Sequence, residues 1–152
     1  VALRLEHRIP PPIVAACTAA LMLGLAWVAP ALTFPIPSTI AFAVAAVGVS
    51  FDAIALLHFL RRRTTLNPLK PDSASALVTG GIYRFTRNPM YLGLATLLLA
   101  WAIYLGNLAA LAGVPLFILY MNRFQIAPEE RALEARFGAE YIAYRTRVRR
   151  WL

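Results

Sequence analysis

The sequence is poor in charge over its two longest stretches. Between Ile9 and Leu60 the only formally charged residue is Asp52, and between Asn88 and Asn122 there is none. A small soluble domain has to interrupt such runs with surface charge, whereas a bilayer requires them. Cysteine is scarce as well. Cys17 stands alone in the first apolar run, which excludes an intramolecular disulfide and leaves it no companion ligands for a metal. No Gly-x-Gly-x-x-Gly follows a strand, which excludes a soluble fold of the Rossmann type. Internal repeats and low-complexity tracts are also missing.

What remains is apolar and helical in pattern. Hydrophobic residues make up 60% of the 152, a length that fits one domain. The expected fold is an all-α integral membrane protein, a single membrane domain over 1–152 with four spans and a C-terminal amphipathic helical segment. The spans fall at 13–28, 38–60, 89–105 and 108–122. The first is entered through Pro10-Pro11-Pro12, and the second is closed by Arg61-Arg62-Arg63. At ~1.5 Å per residue the second covers roughly 34 Å, a full hydrocarbon core. Gly106-Asn107 forms the turn between the last two, and Pro115 is expected to kink the fourth. Ala29-Pro30-Ala31 resembles a signal-peptide cleavage site, but the proline between the alanines and the long apolar run weigh against that reading.

The net charge of +8 invites a nucleic-acid reading, which the distribution rejects. Arg4, Arg8, Arg61, Arg62, Arg63, Lys70, Arg84, Arg87 and the Arg145–Arg150 cluster all lie outside the apolar runs, while the 29–37 link is uncharged. Basic residues flanking spans follow the positive-inside rule. Both termini and the 61–88 link are therefore expected in the cytoplasm of a bacterial-type inner membrane. The 128–152 tail places Leu133, Phe137, Tyr141, Tyr144, Val148 and Trp151 on one face, with Gly138 as an interruption. With its arginines beside that face, the tail is expected to lie along the membrane surface.

The most polar stretch before an apolar run is "GIYRFTRNPMYLG" (81–93). Read from its residues, Asn88 is an N-cap and Pro89 a first helical position, so the pair opens the third span. Arg84 and Arg87 then act as interfacial anchors, and Tyr83 and Tyr91 belong to an aromatic belt. A helix start also offers free N–H groups to an anion.

Residues 77–93, followed by "EERALEARFGAEYIAYRTRVRRW" (129–151), resemble the isoprenylcysteine carboxyl methyltransferase family and the related membrane phospholipid methyltransferases. Gly81, Tyr83, Arg84, Arg87, Pro89, Tyr91 and Gly93 match the first family motif. Glu129, Glu130, Leu133, Phe137, Gly138, Glu140, Tyr141 and Tyr144 match the second. Asn88 departs from the histidine of the eukaryotic enzymes, and asparagine cannot take up a proton near neutral pH.

The resemblance implies methyl transfer from S-adenosylmethionine, with S-adenosylhomocysteine as product, to a lipophilic acceptor drawn from the membrane lipids. Isoprenylcysteine carboxylate is the acceptor it names; a phospholipid amine or a small thiol stays open, as does a non-catalytic membrane subunit. The cofactor is expected against Leu77, Val78, Gly81, Tyr83, Arg87, Asn88, Pro89, Tyr91, Leu92, Gly93, Glu129, Glu130 and Tyr141, with Gly81 and Gly93 allowing close approach. Arg123, Glu130 and Asn88 are the candidate catalytic residues, Arg123 as a carboxylate holder. No metal is implied. Asp52, ionisable within a span, is a functional candidate by default, balanced against a structural pairing with an arginine. His58 is read as an interfacial residue.

Overall fold

The computed structural model describes Glu6 and residues 9–62 and 77–152. The expected 61–88 link thus lies in part, at 63–76, outside the described residues. Six α-helices follow one another: α1 Pro11–Val28, α2 Ser38–Arg62, α3 Pro89–Leu105, α4 Gly113–Met121, α5 Ala127–Phe137 and α6 Ala139–Arg147. Among the described residues the only extended pairing is an isolated bridge between Thr33 and Asn107. The chain is an integral membrane protein, its apolar helices matching the spans expected from sequence.

The boundaries follow from local chemistry. α1 begins at Pro11, earlier than expected, because proline in a first turn forgoes an N–H that has no helical partner anyway. α3 ends at Gly106, which adopts the left-handed conformation at φ 55°. Gly138, at φ 50°, separates α5 from α6 as expected.

The fourth span departs from expectation. A 3-10 turn at Ala110–Ala112, α4, a π turn at Asn122–Ile126 and α5 run on as one apolar helical stretch of 28 residues. Pro115 sits in the first turn of α4 and introduces no break. The π turn has a cause in Pro128, which removes one backbone donor just downstream and loosens the register. At ~1.5 Å per residue this stretch measures roughly 42 Å, more than a ~30 Å hydrocarbon core. Its charges begin at Arg123 and crowd at Glu129, Glu130 and Arg131. The membrane-spanning part therefore ends near Asn122, and α5 stands beyond it.

α3 is the central helix, packed against α1, α2 and α4. Val14 and Met22 of α1, Tyr91, Ala95, Leu98 and Ala102 of α3, and Phe117 and Met121 of α4 form one buried core. The Trp101 indole donates to the Ala19 carbonyl at 3.1 Å, making α1 a full member of the bundle. In lipid, helices associate by close packing of small residues more than by apolar burial. Gly48 of α2 accordingly lies against Leu97 and the Gly93 carbonyl. Apart from that contact, α2 presents Phe42, Val47, Val49 and Leu57 outward, a surface for lipid chains.

The two ends of the bundle are closed differently. At the uncharged end Asn107 is fully buried: its amide donates to the Ala29 carbonyl at 2.8 Å and its oxygen accepts from Ala109 N–H at 2.9 Å. The arginine-rich end is closed by side chains from both sequence motifs.

Candidate functional site

The first motif folds into a compact approach to α3. Gly81 takes φ 61° and opens a 3-10 turn, Gly81–Arg84. His58, near the end of α2, lies directly against Gly81, where any Cβ would overlap its imidazole; its ring also meets Tyr83 edge-on. Gly81 is thus required twice, for its positive φ and for the space that His58 fills.

Arg87 joins this approach to the C-terminal segment. Its backbone N–H donates to the Arg149 carbonyl at 3.0 Å, and its guanidinium donates to the carbonyls of Arg145 and Val148 at 3.0 and 2.9 Å. The same guanidinium meets Glu130 at 2.6 Å. Asn88 occupies the N-cap position of α3, yet its side chain does not cap the helix. Its amide donates to the Arg150 carbonyl at 2.9 Å, while its own backbone N–H is taken by the Thr86 hydroxyl at 3.1 Å. Thr86 thus satisfies the chain at the helix start and frees the Asn88 carboxamide to hold the tail.

Two adjacent carboxylates at the start of α5 have opposite surroundings. Glu130 accepts from Arg87 and from both Nε and a terminal nitrogen of Arg150, at 2.6 to 3.0 Å. Its side chain keeps 12% of its surface and that of Arg87 10%, so this is a mostly dry ion triad. Burial by itself would raise the Glu130 carboxyl, but hydrogen bonds and charge from Arg150 and Arg87 outweigh it and hold it below its ordinary 4.5. Glu129 accepts a short hydrogen bond from the Tyr91 hydroxyl; among the described residues its other oxygen has no protein partner. Burial pushes its carboxyl up to about 8 against the Tyr91 bond, and the Glu130 charge adds to the rise.

Behind these groups lies a second, smaller core of Tyr83, Tyr141, Tyr144 and Val148, edged by Leu77, Val78, Ile82, Leu133 and Phe137. The Tyr144 hydroxyl donates to the Tyr83 carbonyl at 2.7 Å. Burial, then the charges of Tyr144 and Glu129, drive the Tyr83 phenol far above its ordinary value, which places Glu129 within electrostatic reach of this cluster. The apolar face expected to lie on the membrane surface is therefore covered by residues 77–87 of the protein itself.

The structure gathers most of the sequence candidates but not all in the expected setting. Leu77, Val78, Tyr83, Arg87, Asn88, Pro89, Tyr91, Glu129, Glu130 and Tyr141 surround the seam, and Leu92 continues the first turn of α3. Arg123 is apart: its side chain is 64% exposed, pairs with Glu6 at 3.4 Å and lies over the Phe124 ring. The space beside Gly81 and Gly93 holds His58 and Asp52. Asp52 has no ion pair with an arginine; among the described residues it makes no hydrogen bond at all. Sequence reasoning missed Arg150 and Thr86. Arg150 was hidden among four tail arginines with nothing to single it out, and only the fold shows which of them turns inward.

A bundle of apolar helices with one dry polar seam at its charged end has the build of an integral membrane enzyme. Residues 38–140 match the phospholipid methyltransferase family model, and the chain belongs to that family of membrane methyltransferases. It is also similar to an uncharacterized protein of Haemophilus influenzae, 57% identical over 63 residues that cover 41% of this chain and the whole of that protein. No solved structure matches the chain.

Proposed function

We propose that the protein transfers a methyl group from S-adenosylmethionine to a lipophilic acceptor at the arginine-rich, cytoplasmic end of the bundle. The observation that carries this reading is the closure of the two motifs on each other, through Glu130 and Tyr144, just where the spans leave the membrane. A water-soluble donor and a lipid-borne acceptor meet only at such a boundary.

The residues present fit the donor. S-adenosylmethionine supplies an electrophilic methyl on a cationic sulfonium. Glu129 offers a carboxylate oxygen without a protein partner, the chemistry that takes an amino-acid ammonium. Tyr83 and Tyr91 bring aromatic faces, which favour a nearby cation. Leu77, Val78 and Leu92 supply apolar wall that excludes water from an in-line displacement. Glu130 acts through position: it holds Arg87 and Arg150, and with Asn88 it clamps the tail over Pro89 and Tyr91. Arg123 lies on the outer surface and is read as an anchor. The acceptor arrives laterally from the lipid, and the resemblance names isoprenylcysteine while the family name points to a phospholipid.

Isothermal titration of the detergent-solubilised protein with S-adenosylhomocysteine tests the reading. Saturable binding that weakens about tenfold or more in Glu129→Gln is expected, as loss of one charged hydrogen bond predicts. A folded protein that binds neither S-adenosylhomocysteine nor S-adenosylmethionine would instead be a non-catalytic membrane subunit.

A further inference from the structure

Two titratable side chains of α2 point into the first motif and take no part in the seam. Asp52 lies over Gly93 so closely that a Cβ there would overlap its carboxylate, and His58 lies over Gly81 in the same way. Each glycine of the motif is thus matched to one polar residue of α2. At ~1.5 Å per residue Gly93 is roughly 6 Å from the start of α3, and His58 roughly 9 Å beyond Asp52 along α2. Asp52 is therefore about one turn inside the membrane, with His58 nearer its boundary.

An ionisable group held at that depth carries a standing desolvation cost, and proteins retain it where it has a partner or a task. No partner is found. The titratable groups on the elements packed against Asp52 are Tyr91 on α3, whose hydroxyl is bonded to Glu129, and Tyr83 and Arg84 on the 3-10 turn; no ion pair or hydrogen bond from them to Asp52 is present among the described residues. On its own helix the nearest is His58, which packs on Gly81 and Tyr83. α2 packs chiefly on α3 and turns its other faces to lipid, so Asp52 stands at the seam by which a lipid would reach the start of α3.

We propose that Asp52 faces the methyl acceptor and takes its proton, and that it selects an acceptor bearing an amine over one bearing a carboxylate. This rests on the methyltransferase reading above. The acceptor nitrogen, ammonium at rest, is held by the Asp52 carboxylate and passes it one proton. Its lone pair then forms the N–C bond as the S–C bond of the donor breaks, and that electron pair stays on sulfur. A carboxylate acceptor needs no base, and its charge would be repelled by Asp52. The acceptor class is a lipid with a primary amine in its headgroup, short enough to sit one turn below the boundary.

The test uses the full chain in phosphatidylcholine vesicles with radiolabelled S-adenosylmethionine. One set of vesicles is doped with a lipid carrying a primary-amine headgroup, a second with a prenylated cysteine bearing a free carboxylate. Label is expected in the amine lipid. Asp52→Asn should lower kcat by about 100-fold or more at neutral pH, the scale of a lost general base. S-adenosylhomocysteine affinity and thermal unfolding should stay unchanged. The deficit should shrink as pH rises toward the pKa of the amine, since free amine then forms without Asp52; a merely structural role predicts a deficit independent of pH. Label in the carboxylate alone, or an Asp52→Asn rate within threefold of the parent, overturns the proposal while S-adenosylhomocysteine binding keeps the methyltransferase reading intact. Loss of that binding in the parent protein overturns both.

Discussion

The seam around Glu130 and the interface around Gly93 lie on two sides of the first turns of α3, and they treat polar groups in opposite ways. At Glu130 every strong donor within reach is engaged: two guanidiniums converge on one carboxylate, and the backbone of 145–150 accepts from Arg87 and Asn88. At Gly93 a carboxylate is inserted between two helices and left unpaired. The first arrangement joins two distant parts of the chain and belongs to stability. The second adds nothing to stability, which is why it points to a ligand.

Substitutions should separate these two regions. Glu130→Ala should have the largest effect, destabilising the protein by about 3 kcal/mol because Arg87 is left buried without its anion. Thermal unfolding in detergent measures it, and a loss well under 1 kcal/mol would mean the triad is only a surface pair.

The pH dependence comes next. Glu130 ionises more readily folded than unfolded, so its contribution is present above 4.5 and fades as pH falls through its lowered folded value. Glu129 behaves in reverse: raised from 4.5 to about 8, it favours the fold fully below 4.5, and that contribution is lost as pH rises to about 8. Unfolding temperature should therefore decline from pH 5 toward about 8 in the parent protein and flatten in Glu129→Gln. An unchanged slope would show that Glu129 is solvated.

Asn88→Ala removes one hydrogen bond between motif and tail and should cost about 1 kcal/mol, with the loss seen equally in chemical unfolding. Asn88→His should recover part of it if the ring N–H reaches the Arg150 carbonyl. Arg123→Ala breaks an exposed pair and should change stability by less than about 1 kcal/mol, leaving S-adenosylhomocysteine binding unaltered. Smallest of all, Asp52→Asn should shift unfolding by no more than about 0.5 kcal/mol despite its effect on rate. A larger shift would place Asp52 with the seam and erase the contrast.

Much of the fold was legible because a bilayer makes its demands residue by residue. Charge-free runs gave the spans, Asn88-Pro89 opened α3, and Gly138 broke the tail helix. The fourth span was misjudged because Pro115 and Pro128 both look like breaks in sequence. In the structure one falls in a first turn and the other is absorbed by a π turn. The cap was misread for a related reason. Asn88 occupies the right position, but whether its amide turns to its own helix or to Arg150 depends on a segment 62 residues away.

The sequence by itself therefore determined the membrane class, the helix starts and stops, and the two motifs that mark the family, since these depend on local composition and on contacts a few residues long. Only the tertiary structure decided which of two neighbouring glutamates is clamped and which keeps an oxygen free. It alone brought Asp52 and His58 to Gly93 and Gly81. Those outcomes depend on the register of α2 against α3 and on the fold of the tail over both, and no local signal encodes how two helices slide past each other.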